Sequence, residues 1–137
     1  MMLAAALSAA QALGGRGVSV SVINVPVIKP LDSATVLAAA GSVRLVVTAE
    51  NHSVIGGLGS AVAETMAEAG LGCPLRRIGL RDTFAEGSLD AAYLFGKYGL
   101  STSAVIETIW SALGRPGPAP PAPHAATVVT SGEYSPV

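Results

Sequence analysis

Charge is what this sequence has least of. Asp, Glu, Lys and Arg make up 12% of its 137 residues, about half of the roughly 25% found in an average soluble domain. A monomer free in water must cover itself with polar groups, so the deficit points to an outside partly buried against another molecule. The competing reading is simple dilution by Ala, Gly, Val and Pro. A formal net charge of −1 leaves no electrostatic footprint for nucleic acid or an anionic membrane. The lone cysteine, Cys73, excludes an internal disulfide and has no metal-ligand spacing around it, so a small buried hydrophobe is its expected role. Long apolar runs are missing as well. The N-terminal stretch 1–13 contains Gln11, is too short to span a bilayer, and lacks the Lys or Arg that opens a secretory leader. The expected location is the cytoplasm.

What is present is enough for one domain with a real core and too little for two: half of the residues are apolar. Leu3, Leu7, Ala10 and Leu13 fall at helical spacing, and Gly14-Gly15 ends that helix. Residues 18–25 begin with alternating Val and Ser and read as a strand. Asp32 or Ser33 can cap a short helix running to Ala40. Residues 44–48 form a continuous apolar core, the pattern of a strand buried on both faces of a parallel sheet. Ser53 is a plausible cap for the next helix, which carries Leu58, Val62, Met66 and Ala69 in one stripe and meets Gly70 at its end. Residues 74–80 give a third strand and 81–88 a polar loop. Two helices over 89–97 and 101–113 close the domain, Ser101 capping the second. Strands alternating with helices predict a three-layer α/β/α fold with a mostly parallel sheet. The domain is expected over residues 1–114. The five prolines between positions 116 and 123 predict an extended, mostly disordered tail over 115–137.

The stretch that could carry chemistry is the second strand running into its helix. Gly56-Gly57-Leu58-Gly59 has the strand–glycine–helix context in which bare N–H groups attract phosphate. Its spacing fails the dinucleotide fingerprint, because Val62 stands where glycine or alanine is needed. No Gly-Lys-Ser/Thr is present for a phosphate loop. The glycines are better explained by close approach of another backbone. Glu50 and His52 end the strand, where open α/β sheets place working residues. They could form an acid–base pair, or Glu50 could neutralise N–H groups at the helix start while His52 bonds across an interface. Arg76, Arg77 and Arg81 could hold a phosphate, but with Asp82 adjacent a solvated ion-pair loop accounts for them more simply. His124 has no expected structural role.

Three segments in this order carry a resemblance: Ile23-Asn24-Val25-Pro26-Val27-Ile28-Lys29-Pro30-Leu31-Asp32, then Thr48-Ala49-Glu50-Asn51-His52-Ser53-Val54-Ile55-Gly56-Gly57-Leu58-Gly59-Ser60, then Arg77-Ile78-Gly79-Leu80-Arg81-Asp82 followed by Lys97-Tyr98-Gly99-Leu100. The sequence resembles the carboxy-terminal domain of transketolase-type thiamine diphosphate enzymes over about residues 3–113, and most closely the second subunit of split transketolases. The same domain type closes deoxyxylulose-phosphate synthases and the beta subunits of 2-oxoacid dehydrogenases, and a non-catalytic adaptor is a further alternative. The resemblance implies that thiamine diphosphate and Mg2+ sit on partner chains carrying the diphosphate- and pyrimidine-binding domains, and that this chain belongs to a hetero-oligomer. It maps no catalytic, cofactor-binding or metal-ligating residue here; Glu50, His52, Gly56, Gly57 and Gly59 carry over as interface residues. Two departures stand out. The loop reads Glu86-Gly87-Ser88 where the family has an acid, a serine and then glycine. The family's first inner strand is also absent, since Met1 falls at the helix that follows it. That strand would lie beside both 18–25 and 44–48, and its loss leaves two rows of backbone groups to be paired by a partner polypeptide.

Overall fold

The computed structural model describes residues 2–87 and 90–123. Its elements follow the expected order: α1 (Met2–Gly14), α2 (Ser33–Ala40), β1 (Val46–Ser53), α3 (Leu58–Glu68), β2 (Leu75–Leu80), α4 (Ala91–Lys97) and α5 (Thr102–Ala112). Three of the helices, α2, α4 and α5, begin where short polar side chains take up orphan backbone N–H groups. Asp32 accepts from Thr35 N, Asp90 from Tyr93 N and Ser101 from Ala104 N. The predicted stop of α3 holds too, Gly70 following the last turn at φ 64°, where a side chain would be strained. None of the described helices is long and apolar enough to cross a membrane.

β1 and β2 pair in parallel as a two-stranded sheet. Because side chains alternate across a strand, β1 feeds two cores. Leu45, Val47 and Ala49 lie on the side of α1 and α5, against a cluster that includes Leu13, Ile78, Leu100 and Ile106. Val46 and Leu75 lie on the side of α2 and α3, against Val36, Ala40, Val62 and Met66. The result is the predicted three-layer α/β/α arrangement. Cys73 is half-buried at the edge of the second cluster.

Two expectations need correction. Residues 18–25 form no strand. Val18 is buried, Val20 and Val22 are half-buried and the serines between them are exposed, so the pleat is there, but a strand needs a ladder and no neighbouring strand bonds to this segment. Ser53 does not cap α3; it ends β1, its hydroxyl accepts from Ile55 N, and the cap position falls to Gly57. The first nine residues of the predicted tail, 115–123, have no regular structure but lie against the domain: Ala119 and Ala122 pack on the α1–α5 cluster, and Trp110 Nε1 donates to Gly117 O at 3.0 Å. The remainder of the tail, His124 included, lies outside the described residues, as does Ser88 of the polar loop.

Candidate functional site

The junction of β1 and α3 owes its shape to a break in register. Ala49 faces Ile78 and Ser53 faces Leu80, so four steps along β1 are matched by two along β2, and residues 50–52 are bulged. Glu50 stands two residues beyond Thr48 and therefore on the same α3-facing side of the strand, and it is 8% exposed. Its Oε2 accepts from Leu58 N and its Oε1 from Gly59 N, both at 2.8 Å. These are orphan donors of the first turn of α3, where the helix dipole also favours negative charge. Gly57, at the cap position, has no side chain to do this. Glu50 therefore caps α3 from the neighbouring strand, in two charge-assisted hydrogen bonds.

The glycines make room for that carboxylate. A Cβ on Gly57 would stand 2.0 Å from Glu50 Oε2 and 2.6 Å from Ser53 O. One on Gly59 would stand 2.8 Å from Arg77 Cδ and 2.9 Å from Thr48 Oγ1. Gly79 belongs to the same node, since its Cβ would lie 2.7 Å from Val54 Cγ1, 2.8 Å from His52 O and 3.1 Å from Glu50 Cγ. Sequence reasoning missed Gly79; a glycine inside a strand is itself the signal of close approach. Gly56 serves differently. It turns the chain at φ 73° with open space around it, and its N–H donates to Ser60 Oγ at 3.0 Å. Ser60 in turn donates to Val54 O at 2.9 Å, and Arg77 Nη1 donates to Val54 O at 3.0 Å and to Ser60 Oγ at 3.3 Å.

Arg77 is thus a clamp on the node and not part of an ion-pair loop. Arg76 and Arg77 are neighbours on one strand and leave it on opposite faces. Arg76 donates to Leu75 O and Arg81 to Arg77 O, so the three guanidinium groups do not converge on one anion. The ion pair found among the described residues is Lys97–Glu86, and hydrogen bonding to each other holds the Glu86 carboxyl below and the Lys97 amine above their usual values.

Glu50 and His52 are not brought together as an acid–base pair. Both oxygens of Glu50 are engaged by α3, while His52 is exposed and its side chain makes no hydrogen bond among the described residues. The outward surface of the junction is Asn51, His52, Ile55 and Gly56, Ile55 being 64% exposed.

A family model described as transketolase, C-terminal domain, matches residues 1–105. The chain belongs to the transketolase C-terminal domain family. It is 48% identical over 106 residues to the 6-deoxy-6-sulfo-D-fructose transketolase subunit SqwH of a Clostridium species, covering 77% of this chain and 32% of the relative. It is 37% identical over 108 residues to the 1-deoxy-D-xylulose-5-phosphate synthase of Caldanaerobacter subterraneus, covering 79% of this chain and 17% of the relative. Among solved structures it resembles a split gene transketolase described as an inactive beta4 tetramer, with a TM-score of 0.75 and 40% identity over 82% of this chain and 36% of that one. The chain therefore spans about a third or less of the proteins it matches.

Members of this transketolase family are thiamine diphosphate enzymes, and the residues of this domain do not fit that group. The anion-binding position at the start of α3 is filled by the chain's own Glu50 carboxylate. A Cβ-sized space does not exist at Gly57 or Gly59, let alone one for a diphosphate. Among the described residues no three His, Cys, Asp or Glu side chains converge to hold a metal.

Proposed function

We propose that this chain is the subunit carrying the C-terminal domain of a multi-chain transketolase, which moves a two-carbon ketol unit between sugar phosphates in the cytoplasm. Its part is assembly. Thiamine diphosphate and Mg2+ are held by partner chains with the diphosphate- and pyrimidine-binding domains, and this chain packs against them through the surface that Asn51, His52 and Ile55 offer beside the Glu50–Gly57–Gly59 node. The observation that carries this reading is the closure of the α3 start by Glu50, which leaves the most cofactor-like feature of the chain with no vacancy for an anion. The likeness to two split transketolase chains supports it.

A second reading has an observation of its own. The similarity to 1-deoxy-D-xylulose-5-phosphate synthases at 37–41% identity allows a synthase of that kind as the assembled enzyme. The test is reconstitution of this chain with companion chains bearing the two cofactor domains, followed by assay for both products. Ketol transfer that requires this chain supports the proposal; formation of deoxyxylulose phosphate supports the alternative; full activity of the companions alone overturns both.

A further inference from the structure

The prolines between positions 116 and 123 lie along the domain in an ordered way. α5 ends in a turn where Gly114 N donates to Ser111 O and Arg115 N to Trp110 O. Gly114 and Gly117, at φ 62° and 73°, then bend the chain back across the helices. Each proline has its φ fixed and steers the residue before it away from helical backbone, so residues 118–123 favour the polyproline II form. That form repeats about every three residues, and the burial has the same period. Ala119 and Ala122 pack on the α1–α5 cluster, Pro118 and Pro121 are exposed, and Pro120 is buried between them. Both helices contribute to the groove beneath. Trp110 Nε1 of α5 donates to Gly117 O at 3.0 Å, and Arg115 Nη2 donates to Gly17 O at 3.3 Å, just past the end of α1. Gln11, Ala12 and Arg16 line an open cleft together with Pro120 and Pro123.

We infer that the α1–α5 seam is a docking groove for a proline-rich segment in polyproline II form, and that residues 115–123 are its resident ligand, bound in cis. The geometry is that of polyproline recognition, in which an aromatic-lined groove takes a preformed, low-entropy helix. Trp110 supplies the ring, and its indole N–H meets a carbonyl of a backbone that forms no hydrogen bonds within itself. The PxxP spacing occurs twice, at Pro118 with Pro121 and at Pro120 with Pro123. Proline also explains why an irregular segment can lie on so apolar a seam. It has no N–H, so the segment brings few orphan donors with it. The family model ends at residue 105, so the strap and its groove are a feature of this chain outside the matched span. Tethering keeps the resident at roughly millimolar effective concentration, which excludes other proline-rich segments while it is seated. The inference is independent of which enzyme the chain helps to assemble.

Trp110 is the single tryptophan of the chain, so its fluorescence reads the groove directly. The test uses the full chain carrying Ala119→Asp and Ala122→Asp, which set two charges against an apolar cluster and leave the groove itself untouched. Acrylamide quenching of Trp110 should rise by about twofold or more as the strap leaves. A synthetic peptide of residues 115–123 should then restore the protection saturably, while the same peptide with both alanines replaced by aspartate should not. Wild type, with its groove already filled, should need at least about tenfold more peptide for any response. Unchanged quenching in the variant overturns the seating of the strap. Failure of the peptide to rebind, or equal binding of the aspartate peptide, overturns the docking groove. Dimers of wild type formed by exchanged tails overturn the cis assignment. If the variant does not fold, NMR of wild type decides: a slowly exchanging Trp110 indole proton, with the Ala119 and Ala122 methyls in contact with α1 and α5, supports the inference. A freely exchanging indole without those contacts overturns it.

Discussion

Replacing Glu50 with alanine takes away the acceptor of two backbone amides at once. The carboxylate holds Leu58 N and Gly59 N at 2.8 Å each, and hydrogen bonds to a charged group contribute about 1.5–3 kcal/mol apiece. Their simple sum would be roughly 3–6 kcal/mol, but Leu58 is only half-buried and water entering the vacated polar site restores part of the loss. The expected cost of Glu50→Ala is therefore about 3 kcal/mol. Glu50→Gln keeps one acceptor and turns an amide donor toward the other N–H, for about 2 kcal/mol. Urea unfolding gives the free energies, and amide exchange at Leu58 and Gly59 shows where the loss falls. Gly57→Ala drives its Cβ into Oε2 and breaks the same cap. The double variant Glu50→Ala with Gly57→Ala should then cost less than the sum of the singles by more than about 1 kcal/mol. A loss below about 1 kcal/mol for Glu50→Ala, with unchanged exchange at Leu58 and Gly59, would refute the capping role.

Three further outcomes follow. Gly79→Ala overpacks the node against Val54 Cγ1 and the His52 carbonyl and should lower stability by about 1–3 kcal/mol, read from the urea midpoint. His52→Ala should leave stability within about 0.5 kcal/mol, as for any exposed residue without bonds, and weaken assembly or modestly lower the activity of the assembled enzyme; complete loss of turnover with assembly intact would restore a catalytic role. The Lys97–Glu86 pair depresses the carboxyl and raises the amine through one mutual hydrogen bond. Its contribution is present between the ordinary carboxyl and amine values, and is lost as pH falls through the lowered Glu86 value or rises through the raised Lys97 value. The stability difference between wild type and Lys97→Met should thus be flat near neutrality and shrink with added salt.

The helices were legible because their signals are local. Asp32, Ser101 and Gly70 act within one turn of their own position, and the caps stand where sequence put them. β1 was legible as an apolar run ending at Glu50 and His52, though the bulge within that end was not, since it depends on β2. Ser53 was misread as the cap of α3 for a related reason: a residue of the right type at the right place is outdone by a carboxylate eight positions from Leu58, reached through the sheet. Residues 18–25 show the same limit from the other side. Alternation reports which side chains meet a core, and it cannot report whether a neighbouring strand exists to bond the backbone. At the site, the two readings of Glu50 were distinguishable only once Leu58 and Gly59 could be placed. Gly79 became informative when Glu50 and Val54 were seen to lie across from it.

The account stands on this domain serving assembly while its partners hold the cofactor. Calorimetric titration of thiamine diphosphate with Mg2+ into the chain alone, and then into the chain reconstituted with its companion subunits, tests that most directly. The account predicts no binding heat from the chain alone and saturable binding with ketol-transfer activity in the assembly. Saturable binding of the cofactor to this chain by itself, abolished by substitution at Gly57 or Gly59, would contradict it.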